Sequence, residues 1–215
     1  LEVDQNHQDL LDALKALHRE RGEWTEAIGV LQMIEAASRD LEGKSRALAE
    51  IAQIYQTQLE ERSLAVEYVE QSMDLWPENV DAARFLIGVY WSEGNFVRAE
   101  PMLDLLIAQG GHDPELNHEL NYQLAVVAEN LQKDDKALQY YRKAYEIDST
   151  HLDTLQGMGR LLIARDDWDR AFKIFQTVLV HHRDALGESG AAAIFHQQGH
   201  IKLQVGEKRK ALDFF

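Results

Sequence analysis

The sequence predicts an all-α fold built from about six helix–turn–helix units, the last one truncated. An alanine followed four residues later by a large apolar residue recurs at intervals of 34 to 40 residues along the 215-residue chain. The pairs are Ala27/Leu31, Ala65/Val69, Ala99/Leu103, Ala137/Tyr141, Ala171/Phe175 and Ala211/Phe215. These marker alanines are 38, 34, 38, 34 and 40 residues apart. Self-similarity at such a period is the signature of a repeat architecture.

A turn precedes most of the marker alanines and predicts where the second helix of each unit begins. The turns include Gly22-Glu23-Trp24, Gly94-Asn95-Phe96 and Gly206-Glu207-Lys208. Glycine followed by a polar residue suits a helix end and the N-cap of the next helix. We therefore expect second helices to begin near Trp24, Arg62, Phe96, Asp134, Trp168 and Glu207.

The stretches upstream of the turns show the apolar spacing of a buried helix face. Leu48/Ile51/Tyr55 and Leu86/Tyr90 repeat every three or four positions, which predicts the first helix of each pair. Small residues recur where two helices must approach closely, at Ala52, Ala125, Gly159 and Gly199. One pair has too little core to fold alone, so we expect neighbouring pairs to stack.

These motifs resemble the tetratricopeptide repeat family. Met158-Gly159 fits its Leu-Gly pair, Tyr55 and Tyr90 fit its tyrosine slot, and Pro77 fits its closing proline. The resemblance implies a right-handed α-solenoid, here interpreted as a single domain over residues 1–215. The expected repeats lie near 6–39, 43–77, 79–111, 115–149, 151–187 and 190–215. Because the sequence begins with Leu1 and stops inside a helical pattern, we expect a fragment of a longer protein.

Composition narrows the range of partners. The 22 basic and 37 acidic residues give a formal net charge of −15, which disfavours nucleic acid and anionic membranes and favours a partner with basic character. There is no cysteine, so disulfides and thiolate zinc sites are excluded. No signal peptide or membrane span is visible in the sequence. The compartment is left open, with the cytoplasm as the default expectation.

The resemblance implies that the first helices line a concave groove that binds a peptide or helical segment. The stripe beside their buried face predicts the contact residues Gln53, Arg84, Trp91, Tyr122, Glu129, Gln156 and Arg160. Aromatic rings would supply contact area, while Arg and Gln would bond the peptide. The alternative for Trp91 and Tyr122 is ordinary packing. Packing is the interpretation for Trp24 and Trp168, which lie at turns.

Two family specialisations do not fit the sequence. A carboxylate clamp of Lys, Asn and Arg is replaced by residues such as Asp12, Glu50 and Asp81, which argues against a chaperone-tail adaptor. The asparagine ladder of glycosyltransferase-linked arrays is also missing, since its slot holds residues such as Phe85 and Gly157.

The sequence offers little that indicates catalysis. His196 and His200 are one helical turn apart, but two ligands without the glutamate of a metalloprotease favour surface histidines over a metal site. We expect no enzyme activity, metal or cofactor. The hypotheses kept open are a binding scaffold, a structural spacer or oligomerisation segment, and a regulatory domain of a larger enzyme.

The C-terminal segment predicts a further property. Only about two turns of the sixth second helix are present, and such short helices are marginal alone. We expect fraying beyond Gly206, or self-association through this end, with Phe215 packing around Phe195 and Gly199.

Overall fold

The computed structural model describes residues 2–110 and 113–215, with side chains described from residue 7 onward. Every regular element in these residues is helical. The helices are α1 (Glu2–Glu20), α2 (Trp24–Ala37), α3 (Leu41–Thr57), α4 (Arg62–Leu75), α5 (Val80–Ser92), α6 (Phe96–Gln109), α7 (Pro114–Asn130), α8 (Asp134–Ile147), α9 (Leu152–Ala164), α10 (Trp168–Gln204), α11 (Lys208–Ala211) and a 3₁₀-helix (Leu212–Phe214). The predicted all-α fold is confirmed.

The chain divides into two compact units, residues 1–109 and residues 110–215. Unit 1 contains α1–α6, and unit 2 contains α7–α11 with the 3₁₀-helix. The predicted starts of the second helices are confirmed, since α2, α4, α6, α8 and α10 begin at the expected residues and α11 begins one residue after Glu207. The interpretation of residues 1–215 as a single domain of six repeats stays a prediction.

Each turn between paired helices contains one residue with a positive φ, two positions before the second helix begins. These residues are Gly22, Glu60, Gly94, Gln132, Asp166 and Gly206, with φ between 56° and 82°. The next residue donates its N–H back into the first helix, as Asn95 does to the Tyr90 carbonyl at 2.8 Å. This is the Schellman helix ending. Glycine adopts it without strain, but three of these turns form it with another residue.

The marker alanines lie at the centre of each pair. All six are fully buried, and the large residues Leu31, Val69, Leu103, Tyr141 and Phe175 four positions later are buried as well. Phe215 differs, with 63% of its surface exposed. A bulky residue at a marker alanine would push the paired helices apart, because protein interiors are close-packed.

Gly159 and Gly199 allow an aromatic ring of the second helix to cross the first helix closely. A Cβ on Gly159 would lie 2.7 Å from Cζ of Phe175, and one on Gly199 would lie 2.7 Å from Cζ of Phe215. Carbon atoms in contact are normally about 3.5–4.0 Å apart, so neither position has room for a side chain. The expected packing of Phe215 is confirmed at Gly199, whereas Phe195 lies beside Phe214.

A buried polar cluster joins α3, α4 and α5 in unit 1. The Ser45 and Ser72 hydroxyls each bond the other residue's backbone carbonyl at 2.8 Å. The Asn79 amide donates to both hydroxyls, at 2.8 Å and 3.1 Å. The Asn79 side-chain oxygen caps α5 by accepting two backbone N–H groups at 3.1 Å. Each member therefore has a partner, which buried polar groups need.

In unit 2, α10 carries the second helix of one pair and the first helix of the next. Its two parts are separated at Gly187, whose φ of 63° and ψ of −174° are not helical. Glycine reaches this region without the clash that a Cβ would cause. The break falls at the predicted boundary between the fifth and sixth repeats.

Candidate functional site

The seven residues predicted to line a groove divide between the two units. Gln53, Arg84 and Trp91 lie on α3 and α5 of unit 1, while Tyr122, Glu129, Gln156 and Arg160 lie on α7 and α9 of unit 2. That both sets belong to one groove stays a prediction. Each set is described within its own unit.

The four residues of unit 2 lie around one pocket of about 320 Å³ between α7 and α9. We call it the α7–α9 pocket. Its remaining walls are Val126, Asn130, Tyr141 and Asp153. On each helix, residues three or four positions apart share a face. The predicted residues of α7 and those of α9 therefore lie on the faces that border this pocket. The geometry places the predicted side chains together, and their role in binding stays a prediction.

Glu129 connects the charged groups of the α7–α9 pocket. Its carboxylate accepts from Nη2 of Arg160 at 3.1 Å and 3.2 Å and from Nε at 3.3 Å. It also accepts the hydroxyl of Tyr141 at 2.8 Å. Such charge-assisted bonds fix the geometry of both partners. Arg160 is thus already paired within the chain, which the sequence pattern does not indicate.

Tyr141 is one of the pocket residues that sequence reasoning missed, together with Asn130 and Asp153. Its place after a marker alanine assigned it to the core. The ring is indeed buried and crosses α9 at Gly157, where an added Cβ would collide with it. Burial and the bond to Glu129 raise the pKa of the Tyr141 hydroxyl far above its ordinary value, so the group stays a donor. The other markers have a hydrocarbon side chain at this position. The hydroxyl of Tyr141 is therefore the feature of the sequence that could have indicated a polar role.

Tyr122 forms an aromatic wall of the α7–α9 pocket and is half-buried. Its ring centroid lies 6.3 Å from that of Tyr141 and 5.0 Å from that of His151. Burial raises the pKa of the Tyr122 hydroxyl, and the carboxylates of Asp153 and Glu119 raise it further. The packing and binding interpretations of Tyr122 are therefore compatible, since the ring packs on one side and lines the pocket on the other.

A histidine pair supports Tyr122 from the side of α7 and the turn before α9. The rings of His118 and His151 lie edge to face, 4.6 Å apart. His151 caps α9 by accepting the Thr154 N–H at Nδ1, 3.3 Å away. Nε2 of His118 is buried and has no hydrogen-bond partner among the described residues. Burial and the neighbouring His151 lower the pKa of His118.

A second pocket of about 370 Å³ adjoins the first and shares Gln156 and Arg160 with it. We call it the α9–α10 pocket. Its other walls are Ile163, Phe175, Ala193, Ile194 and Gln197, from α9 and both parts of α10. These walls are mainly apolar. One face of unit 2 therefore presents a polar and aromatic pocket beside an apolar one.

In unit 1, Gln53 and Arg84 line a pocket of about 520 Å³ between α3 and α5. Glu50, also in its wall, lies 3.3 Å from Nζ of Lys15 and 3.4 Å from Nη1 of Arg19. Arg84 is exposed and forms no ion pair with the described residues. It is thus a cation available to a ligand in unit 1.

Trp91, the third predicted residue of unit 1, packs within its own helix pair. Its ring lies edge to face with that of Phe96, with centroids 5.7 Å apart. The side chain is half-buried. Packing therefore accounts for part of its surface, and a role in binding stays a prediction.

Comparison with known proteins identifies the repeat. A profile of the tetratricopeptide repeat matches residues 133–194, which covers α8, α9 and most of α10. This segment of the chain is therefore similar to the tetratricopeptide repeat family. A search of curated protein sequences finds no match.

Solved tetratricopeptide repeat structures share the fold. The crystal structure of YrrB, described as a tetratricopeptide repeat protein with an unusual peptide-binding site, has a TM-score of 0.60 at 20% identity, covering 79% of this chain and 82% of that one. PilF of Pseudomonas aeruginosa has a TM-score of 0.53 at 18% identity, over 98% and 90%. MamA from Desulfovibrio magneticus has 0.54 at 19% identity, over 82% and 96%. At these identities the likeness concerns the fold.

Outside the pockets, His196, His200 and the turn tryptophans lie against other apolar or aromatic side chains. His196 lies against Phe215 and His200 against Trp168, with ring centroids 5.4 Å and 6.3 Å apart. No group of three or more His, Asp or Glu side chains in the described part of the chain is placed to hold a metal ion. The packing interpretation of Trp24 and Trp168 is confirmed, since both lie against the buried core clusters.

None of the described helices combines the length and the apolar character needed to cross a bilayer.

Proposed function

We propose that this tetratricopeptide repeat chain is a protein-interaction scaffold that binds a segment of a partner protein on the first-helix face of unit 2. The observation that carries the proposal is the pair of adjoining pockets, which share Gln156 and Arg160. They offer aromatic, amide, charged and apolar groups on one face. A peptide needs this mixture, because large side chains supply contact area while polar groups fix the backbone.

The hydrogen bonds inside the α7–α9 pocket support binding by a prepared surface. Arg160 and Tyr141 are both held by Glu129. Groups that are already ordered lose less conformational freedom when a ligand arrives. In unit 1, Gln53, Arg84 and Trp91 are proposed as a further contact region for the same partner.

Photo-crosslinking tests the proposal and captures the partner in one experiment. A photoreactive amino acid replaces Gln156 on α9, and the irradiated protein is recovered from an extract of the cells that make it. A matched variant carries the same group at Gln176, an exposed glutamine on the second helix α10. We expect a defined protein adduct from position 156 and none from position 176.

The same experiment separates the scaffold from the other hypotheses. A spacer without a ligand on this face would give no adduct at either position. Equal adducts from positions 156 and 176 would show that contact is not specific to the first-helix face. Either result would contradict the proposal.

A further inference from the structure

The charges in the α7–α9 pocket leave one carboxylate without a counter-ion. Glu129 and Arg160 offset each other through their shared hydrogen bonds. Asp153, the third charged residue of the wall, forms no hydrogen bond or ion pair with the described residues. The charged residues of the pocket therefore leave one negative charge that no basic side chain of the described residues offsets.

An aromatic ring lies beside that carboxylate. Tyr122 and Asp153 line the same pocket, and the Asp153 carboxylate is close enough to raise the pKa of the Tyr122 hydroxyl. A ring face attracts a cation, and a carboxylate accepts charge-assisted hydrogen bonds from one. Together they match a lysine or arginine side chain, whose alkyl stem also suits the ring.

The neighbouring α9–α10 pocket calls for different chemistry. Its walls include Ile163, Phe175 and Ile194, and its volume of about 370 Å³ is large enough for a leucine or an aromatic side chain. Burying such a side chain contributes through the hydrophobic effect. The shared residues Gln156 and Arg160 lie between the two pockets and can bond the intervening peptide backbone or side chains.

We propose that the partner segment carries one basic and one apolar anchor, with a lysine or arginine against Tyr122 and Asp153 and a large apolar side chain in the α9–α10 pocket. This inference rests on the proposed function and specifies the chemistry of its ligand. The net charge of −15 of the whole chain favours the encounter with such a basic segment.

Helix packing sets the distance between the two anchoring side chains. Packed helices lie about 8–10 Å apart, so the pockets are separated by roughly that distance. An extended chain advances about 3.3 Å per residue and directs every second side chain to the same face, which places the two anchors about two or four residues apart. A helical segment advances about 1.5 Å per residue, so this distance corresponds to about five to seven residues, of which a spacing of about seven keeps both anchors on one face.

Selection from a random peptide library displayed on phage tests the inference. We expect enriched peptides to pair Lys or Arg with a large apolar residue at one of these spacings. Synthetic peptides made from the enriched sequences then bind the folded protein in a fluorescence-polarisation assay. The affinity should fall as salt is raised, since exposed charge pairs are screened.

Matched variants locate the two halves of the site. Asp153→Asn should weaken binding about threefold to fivefold at low salt, and Tyr122→Ala about tenfold. The control for the charge is Asp169→Asn, because Asp169 is exposed in the first turn of α10 as Asp153 is in the first turn of α9. The control for the apolar variant Ile163→Ala is Ile147→Ala, an exposed position on α8. Circular dichroism checks that each variant is folded.

The outcomes distinguish this inference from the proposed function. Peptides that depend on Tyr122 but lack basic residues, or that bind Asp153→Asn and Asp169→Asn equally well, would overturn the inference and leave the scaffold proposal standing. A library that yields no binding peptide would overturn both. A dimer in sedimentation that Tyr122→Ala dissociates would make a second copy of the chain the occupant, which would also overturn the inference.

Discussion

Replacing Gly159 with alanine tests the close crossing of helices on which each pair depends. The new Cβ would lie 2.7 Å from Cζ and 2.9 Å from Cε1 of Phe175, about 1 Å inside an ordinary contact. Phe175 is 4% exposed and packed in the core, so the ring has little space into which it can move. We expect overpacking to cost about 2–3 kcal/mol. The better helix propensity of alanine offsets about 1 kcal/mol, leaving a net loss of about 1–2 kcal/mol.

Gly88→Ala is the matched control for Gly159→Ala. Gly88 also lies inside a first helix, but a Cβ there would have no atom within 4 Å. This variant should gain up to about 1 kcal/mol from propensity alone. Urea unfolding followed by circular dichroism measures both variants. Equal stabilities for the two would refute the steric argument, as would a failure of Phe175→Leu to lessen the cost of Gly159→Ala in a double-mutant cycle.

Two further predictions concern buried polar groups. Asn79→Ala should lower the free energy of unfolding by about 2 kcal/mol, because α5 loses its cap and two buried hydroxyls lose a hydrogen-bond donor. The control Asp113→Ala, at the exposed cap of α7, should lower it by about 1 kcal/mol. Equal losses for the two variants in urea unfolding would contradict the contribution of the buried hydrogen bonds. Burial and the neighbouring His151 lower the pKa of His118 from 6.5 in the folded protein. The unfolded chain therefore binds a proton at this histidine at a higher pH than the folded chain does, and the free energy of unfolding should fall as the pH drops below 6.5. Thermal melts from pH 7 to 5 should show a smaller loss for His118→Gln than for the wild type, and identical losses would exclude this contribution.

The repeat could be predicted from the sequence because its constraints are local and recur. A small residue is needed wherever the two helices of a pair cross closely. Ala27 and Ala171 therefore indicate the same helix crossing at two distant points of the chain. The turns are less visible at Glu60 and Gln132. There the backbone takes a positive φ without glycine, because the Schellman hydrogen bonds and the following helix hold it in place.

The face of the candidate site could also be predicted, since residues of one helical stripe must share a side. The pairing of charges on that face could not. Glu129 and Arg160 come from helices separated by α8, and their contact depends on the exact stacking of α7 on α9. Tyr141 reaches the Glu129 carboxylate because Gly157 leaves room for its ring. This close approach involves α8 and α9 together, so the residue pattern of one helix does not indicate it.

This pairing changes which residues of the surface are available to a ligand. The sequence predicts that Arg160 bonds a peptide, but its guanidinium lies on the Glu129 carboxylate at 3.1 Å. A ligand that displaced Arg160 would leave that carboxylate with only Tyr141, at a cost in unpaired charge. Asp153 carries no such cost, because it has no partner to lose among the described residues. The group most available for a charged contact is therefore an aspartate outside the predicted stripe, and its sign favours a basic partner.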